Sequence, residues 1–172
     1  MIGLLIIKSL YFFLPAYFAN MMPVLCKKLP FLARPVSEKW FGRHKTWRGL
    51  VVAVIAGTVV FWLQGVMYDA GFRSWAIIDY SDFSLWLGFW LGLGAILGDL
   101  VKSYYKRKAG IKEGRSWIPF DQLDFVIGGL VLGWIVYVPD VEIVFFILLL
   151  SPLLHVVVNY IGYVLRMKEN RW

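Results

Sequence analysis

Three carboxylates set among cations are the residues of this chain best suited to chemistry. Asp99, Lys102 or Ser103, and Lys106 or Arg107 recur at i, i+3/i+4 and i+7/i+8, a spacing that puts them on one face of a helix. Asp121 and Asp124 stand three apart and share a face of the next helical stretch. Carboxylate oxygens are hard donors that suit Mg²⁺, and a rim of ammonium and guanidinium groups suits phosphate. The candidate metal ligands are therefore Asp99, Asp121 and Asp124, and the nearby cations are candidate phosphate holders. Each feature also has a plainer use. Acids in a first helical turn complement the macrodipole, and basic loops face anionic lipid. The depth of Asp99 argues against the plain reading, because an unpaired carboxylate inside an apolar helix is costly.

The elements that carry these residues follow from composition. Of 172 residues, 60% are hydrophobic and 17% charged, with mean hydropathy +0.67. Soluble domains are about 45–50% apolar and about 25% charged. A domain of this length buries only about 70% of its chain surface, so the apolar excess excludes an ordinary soluble domain and a disordered chain alike. Five apolar stretches recur, at about 3–25, 49–68, 83–101, 120–138 and 143–165. At ~1.5 Å per residue each reaches roughly 28–35 Å, enough for a ~30 Å hydrocarbon core. Backbone polar groups in lipid must be satisfied within the segment, so the stretches read as helices. The expected fold is an all-α, polytopic membrane protein with five transmembrane helices in a single domain over 1–172.

Orientation follows from the net charge of +7. Lys27, Lys28, Arg34, Lys39, Arg43, Lys45 and Arg48 lie in or beside the 26–48 connection. Lys102, Lys106, Arg107, Lys108, Lys112 and Arg115 lie in the 102–119 connection, and Arg166, Lys168 and Arg171 in the tail. Only Lys8 and Arg73 fall elsewhere, while Asp69, Asp79, Asp82, Asp140 and Glu142 occupy the other connections. The positive-inside rule then puts the N-terminus outside and the C-terminus in the cytoplasm. Loops 26–48 and 102–119 are expected to be cytoplasmic, so the candidate site faces the cytoplasm from the cell membrane. No nucleic-acid partner is expected. The apolar N-terminus lacks a basic leader and a clear cleavage pattern, and reads as a retained span.

Small-residue pairs Gly88/Gly92, Gly94/Gly98 and Gly129/Gly133 predict that the third and fourth spans pack tightly within the bundle. Pro15 is expected to kink the first span, and Pro30 and Pro35 to break the first loop. The single cysteine, Cys26, excludes an internal disulfide. His155 and Asn159, four apart in the fifth span, read as interhelical glue. Gly92-x-Gly94-x-x-x-Gly98 misses the dinucleotide pattern and is assigned to packing. His44 reads as a solvated loop residue.

The run from Gly98 to Gly129, with PAYFANMMPVL at Pro15–Leu25 and KTWRG at Lys45–Gly49, resembles the archaeal CDP-archaeol synthase family over nearly the whole chain. A looser similarity joins it to CDP-diacylglycerol synthases. Their GD, S-x-x-K-R and D-R-x-D signature is matched by Gly98-Asp99, Ser103 to Arg107, and Asp121-Gln122-Leu123-Asp124. Gln122 stands where that signature has arginine, and the His-Gly-Gly ahead of the acids is missing, which favours the archaeal family. The resemblance implies a Mg²⁺-dependent transfer of CMP from CTP to an isoprenoid ether lipid phosphate, with release of pyrophosphate. It implies catalytic roles for Asp99, Lys102, Asp121 and Asp124. It also implies contacts to CTP or phosphate from Asn20, Lys45, Thr46, Arg48, Ser103, Lys106 and Arg107. A phosphomonoester has its second pKa near ~6, so the lipid nucleophile needs no general base, consistent with a motif region without histidine.

Two other classes compete. CDP-alcohol phosphotransferases also cluster aspartates in helices, but their D-G-x-x-A-R…G-x-x-x-D-x-x-x-D pattern is absent. A small ion or solute transporter would place its polar residues near mid-bilayer, whereas here they gather at one rim.

Overall fold

A computed structural model describes residues 2–164 of the chain. The expected tail cations Arg166, Lys168 and Arg171, and the last residue of the fifth stretch, lie outside the described residues. The architecture is helical, with α1 (Ile2–Phe12), α2 (Leu14–Leu25), α3 (Glu38–Phe41), α4 (Trp47–Asp69), α5 (Trp86–Lys108), α6 (Phe120–Gly133) and α7 (Val141–Val164). Among the described residues the only β pairing is an isolated bridge between Pro35 and Thr46.

The first stretch is not one straight helix. α1 and α2 meet at 49°, with Pro15 in the first turn of α2. Proline has no N–H to give to the carbonyl four residues back, which is that of Tyr11. That carbonyl accepts from Gln64 Nε2 at 2.6 Å instead. A buried glutamine on α4 thus satisfies the backbone group that the bend releases, as lipid requires.

α4 and α7 are each long and apolar enough to cross a membrane, and the bent α1–α2 pair makes a third crossing if taken as one span. α5 has the length, at 23 residues, but its C-terminal half carries the charged site. α6 is shorter than the expected 120–138 span. It ends at Gly133 after 14 residues, about 21 Å at ~1.5 Å per residue. The chain then turns through 134–136 ahead of Pro139, which cannot extend a helix ladder.

α5 lies centrally, packed on α2, α4 and α6, while α7 covers α6 and α1. The core between them is apolar and aromatic, with Phe13, Phe125, Leu87, Leu91, Val126 and Ile147 fully buried. Ile55, Val59 and Trp62 of α4 and Leu153 and Val157 of α7 stay exposed, as a lipid-facing surface requires. The glycine pairs act as expected and recruit partners. A Cβ on Gly88 would strike Phe61 and the Gly57 carbonyl, and one on Gly94 would strike the Gly128 carbonyl. Among the described residues, α5 and α6 share the most extensive helix–helix contact.

At the end holding 70–85, Tyr80 is buried among Tyr11, Phe61 and Tyr68, with ring centroids 5.3–6.1 Å apart. Asp79 accepts from the Ser81 N–H at 3.0 Å. The Ser81 hydroxyl and backbone bonds hold its carboxyl below the usual carboxylate range.

Candidate active site

The site is assembled where α5 ends and α6 begins. A Cβ on Gly98 would collide with the Asp124 backbone carbonyl, so only glycine lets the two backbones approach there. That approach sets Asp99, the next residue, beside Asp124. Asp121 and Asp124 fall in the opening turns of α6, where the positive end of the helix dipole favours carboxylates. Lys106, Arg107 and Lys108 lie in the last turn of α5, where the dipole favours cations.

All three carboxylates converge on one atom. Lys102 Nζ stands 3.2 Å from Asp99 Oδ1, 2.9 Å from Asp121 Oδ1 and 3.0 Å from Asp124 Oδ2. The outer oxygens have their own partners. Lys45 Nζ donates to Asp99 Oδ2. Lys106 Nζ bonds both oxygens of Asp121, at 2.9 and 2.8 Å, and the Trp117 N–H donates to Asp121 Oδ2. Asp124 Oδ1 accepts from the Phe125 N–H at 2.6 Å. The cluster is well shielded, with the Asp124 side chain 5% and that of Lys102 14% exposed.

Lys45 reaches Asp99 because the first loop folds back on itself. Val36 N–H donates to the Lys45 carbonyl at 2.7 Å, Trp47 N–H to Arg34 at 3.1 Å, and Arg48 N–H to Leu32 at 2.9 Å. The loop also leans on α5 and the connection after it. Trp40 stacks on Tyr104 with centroids 5.3 Å apart, and the Arg43 N–H donates to Glu113 Oε1 at 2.6 Å. The loops expected on the cytoplasmic side thus dock on each other over the acid cluster.

The remaining expected residues occupy other positions. Thr46 caps α4, its hydroxyl accepting from the Gly49 N–H at 3.2 Å. The buried Arg48 guanidinium donates to the Leu29 carbonyl. Ser103 bonds the Asp99 backbone carbonyl at 2.7 Å and so presents no hydroxyl to the carboxylates. Asn20 is half-buried on α2 and takes no part in the ion-pair cluster. Arg107 Nε and Gln122 Oε1 are buried without a hydrogen-bond partner. His155 and Asn159 stand in contact with each other at 3.3 Å.

Three inward carboxylate oxygens match a hard divalent cation in donor type, with water or phosphate oxygens needed to complete its coordination. As the side chains stand, no group of three such residues among those described is set to hold a metal, and the Lys102 ammonium stands at the point of convergence. Trp117 reads from the sequence as an interface tryptophan, but its backbone bond to Asp121, the Glu113 contact and the Trp40–Tyr104 stack were not anticipated. Backbone donors and loop-to-loop contacts leave no spacing pattern to read.

Fold and site together define a helical, membrane-embedded protein built around a carboxylate–ammonium centre. A solved structure described as an intramembrane enzyme for archaeal membrane lipids biosynthesis is similar, with TM-score 0.66 and 28% identity, over 88% of this chain and 92% of that one. The CarS-like CDP-archaeol synthase model matches residues 1–172. A CDP-archaeol synthase of Methanospirillum hungatei is 38% identical over 142 residues, covering 79% of this chain and 83% of the relative. That of Methanocaldococcus jannaschii is 34% identical over 179 residues, covering 98% of each. The chain belongs to the CDP-archaeol synthase family.

Proposed function

We propose that this chain forms CDP-archaeol by moving CMP from CTP to the phosphate of an unsaturated isoprenoid ether lipid. The observation that carries the reading is the convergence of three carboxylates from two helices on one point, ringed by lysines. A lipid phosphate oxygen attacks the α-phosphorus of CTP, the α–β anhydride bond breaks, and pyrophosphate leaves with that electron pair. The nucleophile is largely ionised near neutral pH, given a second pKa near ~6, so no side chain has to remove a proton.

The main barrier is electrostatic. Two unit charges of like sign at 4 Å repel by roughly 4 kcal/mol at an effective dielectric of 20, and both substrates are polyanions. Asp99, Asp121 and Asp124 would hold Mg²⁺, which when bound neutralises phosphate charge and polarises the reacting phosphoryl group. Lys45, Lys102 and Lys106 would bind and orient phosphate oxygens. Arg107, whose buried Nε has no partner, offers a further phosphate donor. Asn20, Thr46, Arg48 and Ser103 act in this reading by shaping the walls and the loop that carries Lys45.

The same reading takes the chain across the membrane five times, N-terminus outside, with α5 as the third crossing and the short α6, continued by the apolar 134–138 segment, as the fourth. The charge asymmetry of the connections supports it. The site then opens to the cytoplasm, where soluble CTP meets a lipid phosphate held at the bilayer surface. Purified protein in detergent, given Mg²⁺, α-labelled CTP and a geranylgeranyl ether lipid phosphate, is expected to put label in the lipid fraction and release an equal amount of pyrophosphate. EDTA should stop the reaction and excess Mg²⁺ restore it. Background label and absent CTP binding would overturn the reading.

A further inference from the structure

Lys102 occupies the place that the three acids would offer to a metal ion. Each acid points one oxygen inward at its Nζ, at 2.9–3.2 Å, so one ammonium pairs with all three carboxylates. Asp99 and Asp121 keep their other contacts to Lys45 and Lys106. Three lysines therefore offset three carboxylates, and the cluster is formally neutral with no ion added. A divalent cation and this ammonium cannot share the same three oxygens. The ammonium sits on a flexible four-carbon stem rooted in α5, so it can leave without moving a helix, while Lys45 and Lys106 stay in place.

We propose that Lys102 is a tethered counter-ion that closes the acid cluster to free divalent metal, and that a polyphosphate opens it by drawing the ammonium onto its own oxygens. The proposal rests on the reading that the acids hold metal and the chain binds CTP, and adds an order to it. Metal is taken up together with nucleotide, and the two affinities are coupled reciprocally. Lys102 thereby serves twice, neutralising the acids in the resting protein and the phosphates once CTP is bound.

The test is Mn²⁺ binding, read by the loss of the free-ion EPR signal, in purified protein with no nucleotide and no lipid acceptor. Lys102→Met is expected to bind Mn²⁺ at least tenfold more tightly than wild type, while Lys102→Arg, which keeps the charge, stays within about threefold of it. Lys102→Met binding no tighter than wild type would overturn the proposal, and if wild type still converts CTP, the proposed function would stand without it. Because Lys102→Met leaves buried acids unpaired and risks misfolding, wild type alone supplies a second reading. In equilibrium dialysis at a Mn²⁺ concentration that leaves the nucleotide-free protein nearly empty, CTP should bring about one retained ion per chain. Equal retention with and without CTP would overturn the proposal. No retention under either condition, together with no turnover, would overturn the proposed function as well.

Discussion

Lys45 shows how far a single residue's role depends on the backbone that delivers it. It lies 54 positions from Asp99, and no helical periodicity connects them. The contact exists because 32–36 pairs with 45–48 and turns the chain back over α5. The acids and Lys106 were legible, since i, i+3 and i, i+4 spacings fix a helix face before any fold is known. Ser103 met the same spacing, but its hydroxyl bonds a carbonyl one turn back, a local choice open to any helical serine. Charge-assisted hydrogen bonds contribute about 1.5–3 kcal/mol, and the Lys45–Asp99 pair is partly shielded. Lys45→Met is therefore expected to lower kcat/KM for CTP by about 10- to 100-fold with an unchanged circular dichroism spectrum. Steady-state kinetics at saturating lipid acceptor would check it.

At the scale of elements, the site depends on how closely α5 and α6 approach. Gly94 and Gly98 were visible in the sequence as a small-residue pair, but their partner Gly128 was not, because a glycine's partner across a helix interface is set by three-dimensional register. The same holds for Gly57 opposite Gly88 and Gly92. The bend at Pro15 was legible from one residue type. Its compensation by Gln64 was not, since that bond joins two helices through a side chain that sequence alone leaves unplaced. The end of α6 at Gly133 was also hidden, because 134–138 remains apolar and hydropathy alone does not mark a turn. Gly98→Ala would press a methyl into the Asp124 backbone carbonyl, and overpacking of this kind costs about 1–3 kcal/mol. The variant is expected to unfold several degrees lower in detergent and to lose most of its activity by moving Asp124 away from Asp99. Thermal unfolding and turnover on the same preparation would test both.

For the whole molecule, composition and charge asymmetry carried most of what the sequence could say. They identified a helical membrane protein and separated the cation-bearing connections from the acid-bearing ones along the chain. They did not reveal that the first loop docks on α5 through Trp40–Tyr104 and on the connection after it through Arg43–Glu113. The proposed orientation has a direct consequence. With Cys26 replaced by serine, a cysteine introduced at Arg73 should react with an impermeant maleimide in intact cells, and one at Lys112 only after permeabilisation. Labelling in the opposite order would reverse the topology.

The central claim is that CMP transfer takes place at the acid cluster joining α5 to α6. Asp124 is its most enclosed member, and Asp124→Asn keeps the size of the side chain while removing its charge. The decisive measurement is label transfer from α-labelled CTP to the ether lipid phosphate by wild type and Asp124→Asn, side by side, with matched thermal unfolding. Wild type is expected to label the lipid. The variant is expected to unfold as a cooperative, intact protein while its transfer rate falls at least about 100-fold, the loss of one electrostatic contact to the transition state. Transfer by Asp124→Asn within about threefold of wild type would remove the cluster from the reaction and contradict the account.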